Sequence, residues 1–488
     1  MRRSFRILAL SLAAATAAVI ARHRRGTAPA GHGVSHRRRS ARNVEVARLG
    51  TRLGTGAVTH RVKRARATSE SARAELDAAY QQRATEQVAE RLGQMKGALM
   101  KLGQMASYLD AGLPESVRQT LAQLQQDAPA MDGDVARWVV ASELGRPADE
   151  LFATWDDEPI AAASIGQVHK AITHDGRQVA VKVQYPGIDE AILADLDNSD
   201  LLGRMLAMLF PTLEPGPLVA ELRERIGDEL DYRAEAAAQQ TFVEFYRDHP
   251  FIHVPSVHTD LSAQRVLTTD FVEGDRFATM LERSRAERDR AGEILYRFVF
   301  RSLYRLRVFN GDPHPGNYLF GADGRVTFLD FGLVRRFDQS ELDTFGDLIK
   351  TMIAGEPAAF RRKVTEANLV SPNAPLDDDE VYDWFSHYYE LVRHEGPVTI
   401  TPEYASKTIR HTFDAKNSQM LKWANVPPSF ALIQRINLGL FAIEAELGAT
   451  ADWRRIAEEL WPWVDGPPAT ELGQQEAEWL ARRGLAAG

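Results

Sequence analysis

Cysteine is absent from all 488 residues. No disulfide, thiolate nucleophile or cysteine-held cluster is available, so any metal must be bound by oxygen or imidazole. Long apolar runs are scarce as well. Residues 7–21 (ILALSLAAATAAVIA) fall short of the ~20 residues that span a bilayer, and their alanine content weakens them further. The apolar stretch at 429–446 is interrupted by Gln434, Arg435, Asn437 and Glu444. What remains, with 44% hydrophobic and 26% charged residues, is a globular composition with room for two or three domains.

Charge is unevenly spread. Residues 1–75 carry 17 Arg/Lys and three Glu, so the rest of a chain of net charge -8 is strongly acidic. A basic arm on an acidic body suits an anionic surface, and lipid is expected before nucleic acid; a solvated basic tail is the plainer alternative. Arginines flank residues 7–21 on both sides, and Arg2-Arg3-Ser4-Phe5 faintly resembles a twin-arginine signal. An interfacial anchor, a disordered tail and a cleaved signal all stay open. Residues 26–70 read as a linker without a core.

The densest chemistry lies in Asn310-Gly311-Asp312-Pro313-His314-Pro315-Gly316-Asn317 and Leu329-Asp330-Phe331-Gly332. Asp312, Asn317 five residues on and Asp330 thirteen after that have the spacing of a kinase catalytic loop and metal-binding loop. Phosphoryl transfer needs a carboxylate near the attacking hydroxyl, here Asp312, and hard oxygen ligands for magnesium, here Asn317 and Asp330. Asp-Phe-Gly alone is usually a strand and a turn; the spacing makes the signal specific. His314, between two prolines, is expected to stabilise a turn rather than bind metal.

Ile165–Thr173 and Gln178–Val183 read as strands joined by an Asp-Gly hairpin. Before them, Ala161-Ala162-Ala163-Ser164 stand where a kinase has a glycine-rich phosphate loop. Each Cβ limits close backbone approach, so the loop is expected to be stiffer. Lys182, in Val179-Ala180-Val181-Lys182, resembles the strand lysine that pairs with nucleotide phosphates, and Glu235 is its expected partner. The long gap between them implies helices inserted around 188–225. Glu229 and Asp231 are two apart and cannot share a face of a regular helix. Val266–Gly274 is expected as a strand whose end, at Asp270, Phe271 and Val272, offers backbone groups to an adenine. Ile165, Val168 and Ala180 complete the candidate nucleotide surface.

Helical spacing appears at 88–102, where Lys101 and Gln104 share a face, and again at 115–127, 132–144, 287–307, 340–353 and 429–446. Strands are expected at 318–320 and 326–329. A helix follows Gly332 almost at once, so the long activation segment and Ala-Pro-Glu of a protein kinase are missing, and with them a platform for a protein substrate.

Lys101-Leu-Gly-Gln104, Ala161-Ala-Ala-Ser164, Val179–Lys182, Glu229-Leu-Asp231, Asp312–Asn317 and Asp330-Phe-Gly332 together resemble the AarF/UbiB family of atypical kinases, over about residues 85–335 and more weakly to about 460. The resemblance implies an α+β, two-lobed protein-kinase-like fold whose N-terminal extension lies over the nucleotide site, with Lys101 and Gln104 contacting Glu229 and Asp231. It also implies ATP or ADP with Mg2+ (or Mn2+), ATPase activity, and a tie to quinone and isoprenoid-lipid metabolism at membranes. One departure stands out: Asn310-Gly311 precede Asp312 where the family often has His-Ala, so a difference in loop packing is expected.

The expected domains are a basic segment (1–70), a helical extension (71–150), a small lobe with inserted helices (151–275), a helical large lobe (276–470) and a tail (471–488). The expected function is an ATP-binding, magnesium-dependent atypical kinase or ATPase on the inner face of a membrane, attached through residues 1–25. A nucleotide-gated scaffold for membrane enzymes is the alternative, and a small-molecule or protein kinase the less favoured third.

Overall fold

Period-two alternation decides the small lobe. The computed structural model describes residues 131–163, 165–188, 230–311, 313–405, 407, 418–425 and 427–485. The helices expected before residue 128 and beyond Ile188 lie outside these residues, as do Lys101, Gln104, Ser164, Glu229 and Asp312. After α1 (Gly133–Leu144) and α2 (Ala148–Leu151) come β1 (Phe152–Trp155), β2 (Ala161–Ala162), β3 (Gly166–Thr173) and β4 (Gln178–Gln184). In β3 and β4 one set of side chains, among them Ala171, Val179, Val181 and Val183, is buried against Val139 and Val140 of α1. The other set, Val168, Lys170, Ala180 and Lys182, is half-buried on the opposite face. The expected hairpin is present, with Gly176 at φ +87° in its turn.

The chain then forms α3 (Tyr232–Phe245), β5 (Ile252–His253) and β6 (Val266–Asp270), and β6 pairs antiparallel with β4. The expected strand at 266–274 therefore stops at Asp270. Phe271 N–H still reaches Gln178 O (3.0 Å), but Gln178 is the first residue of β4, so no partner remains beyond it. The sheet order is β1-β3-β4-β6, with β2 on β3. The alanines expected as a loop thus carry a two-residue strand: Ala161 pairs with Val168 and Ala162 with Gln167.

α4 (Phe277–Leu281) and α5 (Arg285–Arg301) open the large lobe. Ser284 and Glu287 close a capping box at the start of α5. The helix expected to 307 becomes a π-turn at Ser302–Leu306 and ends in a left-handed Arg307. Then follow β7 (Val308–Asn310), β8 (Tyr318–Phe320), β9 (Val326–Phe328) and β10 (Val334–Arg336). The helices α6 (Gln339–Ala354), α7 (Pro357–Glu366), α8 (Asp378–Ser386) and α9 (Glu390–Arg393) lead to β11 (Val398–Thr399), α10 (Ser418–Trp423) and α11 (Pro428–Leu447). β12 (Thr450–Ala451), α12 (Trp453–Leu460) and α13 (Glu471–Arg482) complete it. Residues 471–488, expected as a tail, thus hold a helix with Leu472, Trp479 and Leu480 buried in the main core. That core joins α3, α5, the β8–β9 hairpin, α11 and α12. No helix among the described residues is long and apolar enough to cross a membrane.

Candidate active site

Three elements meet at one ammonium. Alternation in β4 puts Lys182 on the half-buried face, and α3 begins at Asp231, whose carboxylate caps it by accepting from Arg233 N–H (3.0 Å). Glu235 consequently lies one turn into α3, on the face it shares with buried Ala236, Gln239 and Phe242. Lys182 Nζ donates to Glu235 Oε1 at 2.8 Å and Oε2 at 3.0 Å, and lies 3.4 Å from Asp330 Oδ2. It also sits 4.9 Å from the centre of the Tyr232 ring. Burial works against charge on Lys182, but Asp330 and Glu235 outweigh it and hold the ammonium well above the ordinary lysine range.

The loop after β7 is tied to Asp330 from several sides. Asn310 Nδ2 donates to Asp330 O (2.7 Å), and Gly311 N–H to Leu333 O (2.7 Å). Asn317 N–H donates to His314 O (2.9 Å) and Asn317 O accepts from Leu329 N–H (3.0 Å), which locks Asn317 beside the residue preceding Asp330. His314 serves the turn as expected, its Nδ1 accepting from Gly316 N–H (3.0 Å). Asp330 Oδ1 accepts from Gly332 N–H (2.9 Å), so its two oxygens face different partners. Phe331 is buried 4.8 Å from Phe242 of α3, coupling the position of Asp330 to the helix that carries Glu235. Pro313, next to Asp312, packs over Gly439 of α11, where a Cβ would fall 2.5 Å from its Cγ. Beyond Gly332, β10 pairs with β7 and α6 starts at Gln339, leaving no long segment between them.

Val168, Ala180 and Lys182 share the half-buried face of the sheet, with Ala161 and Ala162 on β2 beside Val168. Ala163 N–H donates to Gly166 O (2.9 Å) and Ile165 O accepts from Tyr185 N–H (3.0 Å). At the end of β6, Asp270 N–H donates to Ser256 O (2.9 Å) and its carboxylate meets His258 Nε2 at 2.7 Å. With Phe271 N–H on Gln178 O, two of the backbone N–H groups in the Asp270–Val272 stretch are committed to the lobe itself, and the other backbone groups of the stretch are those left for an adenine. Asp231 stands at a helix cap in extended backbone (φ -118°), so the regular-helix restriction on the Glu229/Asp231 pair does not apply there.

Sequence reasoning missed Tyr232, Lys170, whose Nζ lies 4.1 Å over the Phe271 ring, and the part played by Asn310. The signal for Asn310 was the departure from His-Ala. Asn310→Ala is expected to lower stability by about 1 kcal/mol, the worth of one hydrogen bond. Urea unfolding measures this, and Asn310→His, which restores a donor, should recover part of the loss.

A strand lysine paired to a helix glutamate, beside an Asp-Phe-Gly carboxylate and beneath a five-stranded sheet, defines a protein-kinase-like fold. The ABC1 atypical kinase-like domain matches residues 123–363. Atypical kinase COQ8B, mitochondrial, of Rattus norvegicus is 34% identical over 56% of this chain and 52% of its own length. The AarF domain-containing protein kinase 1 of Mus musculus is 30% identical over 72% of this chain and 68% of its own. A solved structure titled as the Rv3197–erythromycin complex from Mycobacterium tuberculosis superposes at a TM-score of 0.58, with 33% identity over 79% of this chain and 97% of that one. The chain belongs to the ABC1/AarF family of atypical kinases. It spans about half the length of the rat relative.

Proposed function

We propose that the protein binds ATP with magnesium and uses it as an atypical kinase or ATPase, acting at a membrane in quinone or isoprenoid-lipid metabolism. The observation that carries the reading is the position of Lys182 Nζ between Glu235 and Asp330. A cation so held is ready to take α- and β-phosphate oxygens, with Glu235 fixing its direction. Ala161–Ile165, Val168 and Ala180 would line the nucleotide, and the Asp270–Val272 stretch would meet the base.

The donor set fits magnesium. Asp330 and Asn317 supply hard oxygens, and no group of three or more acidic or histidine side chains that could hold a metal occurs among the described residues. Magnesium takes most of its ligands from phosphates and water, so two protein donors suffice. When bound it would supply charge neutralisation across the phosphates. Asp312 would orient or deprotonate the acceptor, a hydroxyl or a water. The short connection from Gly332 to α6 favours a small acceptor over a protein one. The basic segment 1–25 would bring the chain to an anionic membrane face on the cytoplasmic side.

Asp330→Asn is expected to abolish the magnesium-dependent thermal shift with ATP; an unchanged shift would remove the metal role. Asp312→Asn should keep nucleotide binding and stop phosphate release, measured with and without liposomes containing an isoprenoid phenol. Release that survives in Asp312→Asn overturns its catalytic role. Binding by the wild type with no release under any of these conditions would leave only a scaffold.

A further inference from the structure

α13 lies between two elements that build the site. On one side it is tied to α5, the helix that leads through the π-turn into β7 with Asn310 at its end. Arg297, fully buried, donates to Glu293 Oε1 (2.7 Å), Glu476 Oε2 (3.0 Å) and Thr470 Oγ1 (3.0 Å), and lies 2.8 Å from Glu459 Oε2. Arg301 donates to both oxygens of Glu476 (3.1 and 3.0 Å). Burial opposes charge on Glu476, but Arg301, His249 and Arg297 hold its carboxyl well below the usual range.

On the other side α13 grips the end of α3. Trp479 Nε1 donates to Arg247 O (3.0 Å). Arg483, just past the helix, donates from Nη2 to Glu244 O (3.0 Å) and from Nη1 to Phe245 O. These are final carbonyls of α3 and its exit, which have no partner within the helix, and a cation there also complements the helix dipole. Trp479 packs edge-on to Phe245 at 5.7 Å, and His249 Nε2, in the connection after α3, lies 3.7 Å from Glu476 Oε1. Arg483 is exposed, yet it directs its donors to backbone carbonyls at a single helix end.

We propose that α13 is a clamp that fixes the tilt of α3 and so holds Glu235 against Lys182, with Trp479 and Arg483 as positioning residues of the site. Its activity arm rests on the nucleotide reading above. Phe245 lies ten residues beyond Glu235, about 15 Å along the helix, so a tilt of about 10° at the clamped end moves Glu235 by roughly 2.6 Å. That is nearly the whole 2.8 Å length of the Lys182–Glu235 bond. Phe331, packed on Phe242, would be carried with the helix, and Asp330 with it.

The test uses the full chain with Arg483→Ala, Arg483→Lys and Trp479→Phe. Backbone hydrogen exchange is followed along α3, and ATP turnover with magnesium is measured in parallel. Arg483→Ala should speed exchange about fivefold through the first turn of α3, around Glu235, while α6 and α12 exchange as in the wild type. Turnover should fall by a similar factor or more, and Arg483→Lys, which keeps charge at the helix end, should lie between. Trp479→Phe, which keeps a ring but removes the donor, should act in the same direction. Faster exchange confined to residues 243–248, with wild-type exchange around Glu235, overturns the clamp. If the wild type neither binds nor turns over ATP, the nucleotide reading fails by itself, and exchange around Glu235 still decides the clamp.

Discussion

Lys182→Met is expected to destabilise the protein by about 3–5 kcal/mol and to abolish its response to nucleotide, because it removes the cation that neutralises two carboxylates at once. The Glu235 side chain is 5% exposed and that of Asp330 30%, so the first has little access to water once its partner is gone. Double substitution separates structure from function. Lys182→Met with Glu235→Gln removes both members of the buried pair and should recover most of the lost stability, yet remain silent to ATP. Urea unfolding reads the first quantity and a nucleotide-dependent thermal shift the second; a double variant as unstable as Lys182→Met would mean that the pair is not the source of the effect. The pH dependence has a definite sign. Lys182 is raised in the folded protein above its ordinary value of 10.5, so its contribution is complete below that value and falls only as pH rises through the folded value. Wild type and Lys182→Met should therefore differ by a constant amount from neutral to mildly alkaline pH and converge only in strong alkali.

Residue type and spacing were enough to reveal the parts of the site that rest on local pattern. Lys182 follows from alternation in a strand, Asp330 from a turn after a strand, and Glu235 from being a carboxylate on the helix that follows the hairpin; the structure brings these three together. The Asp-Gly turn at Gly176 and the box at Ser284/Glu287 are similarly local. What sequence did not yield depends on partners far along the chain. β6 ends at Asp270 because β4 begins at Gln178, a limit set by another strand. Ala161 and Ala162 form a strand because β3 offers an edge, although alanine has little strand preference of its own. α13 reads as a polar tail until Glu476 meets Arg297 and Arg301, 179 and 175 residues away. Asn310 looked like a mere departure; its Nδ2 donates to the Asp330 carbonyl twenty residues on.

Gly166→Ala should cost about 2–4 kcal/mol and weaken nucleotide binding, although Gly166 itself contacts neither Glu235 nor Asp330 through any side chain. A Cβ there would stand 2.2 Å from Val183 O, 2.9 Å from Val183 C and 3.0 Å from Gln184 Cα, all backbone atoms that no rotamer change can move aside. The requirement is closeness of approach rather than a left-handed backbone. Relief needs β3 and β4 to part at the end where Gly166 faces Gln184, two pairs from Val168 opposite Lys182. The same opening would strain the bond from Tyr185 N–H to Ile165 O, which crosses from β4's exit to β3's entry and is worth about 1 kcal/mol. Gly176→Ala provides the control. It sits at φ +87° with open space around it, so it should cost about 1 kcal/mol through the backbone alone and leave the site untouched. Denaturation midpoints and nucleotide-dependent thermal shifts of the two variants, taken side by side, decide the matter. Equal losses in both would assign the cost to glycine's freedom, whereas a larger loss at 166 together with weaker binding places it in the contact between β3, which holds Ala161 and Ala162 of β2, and β4, which carries Lys182.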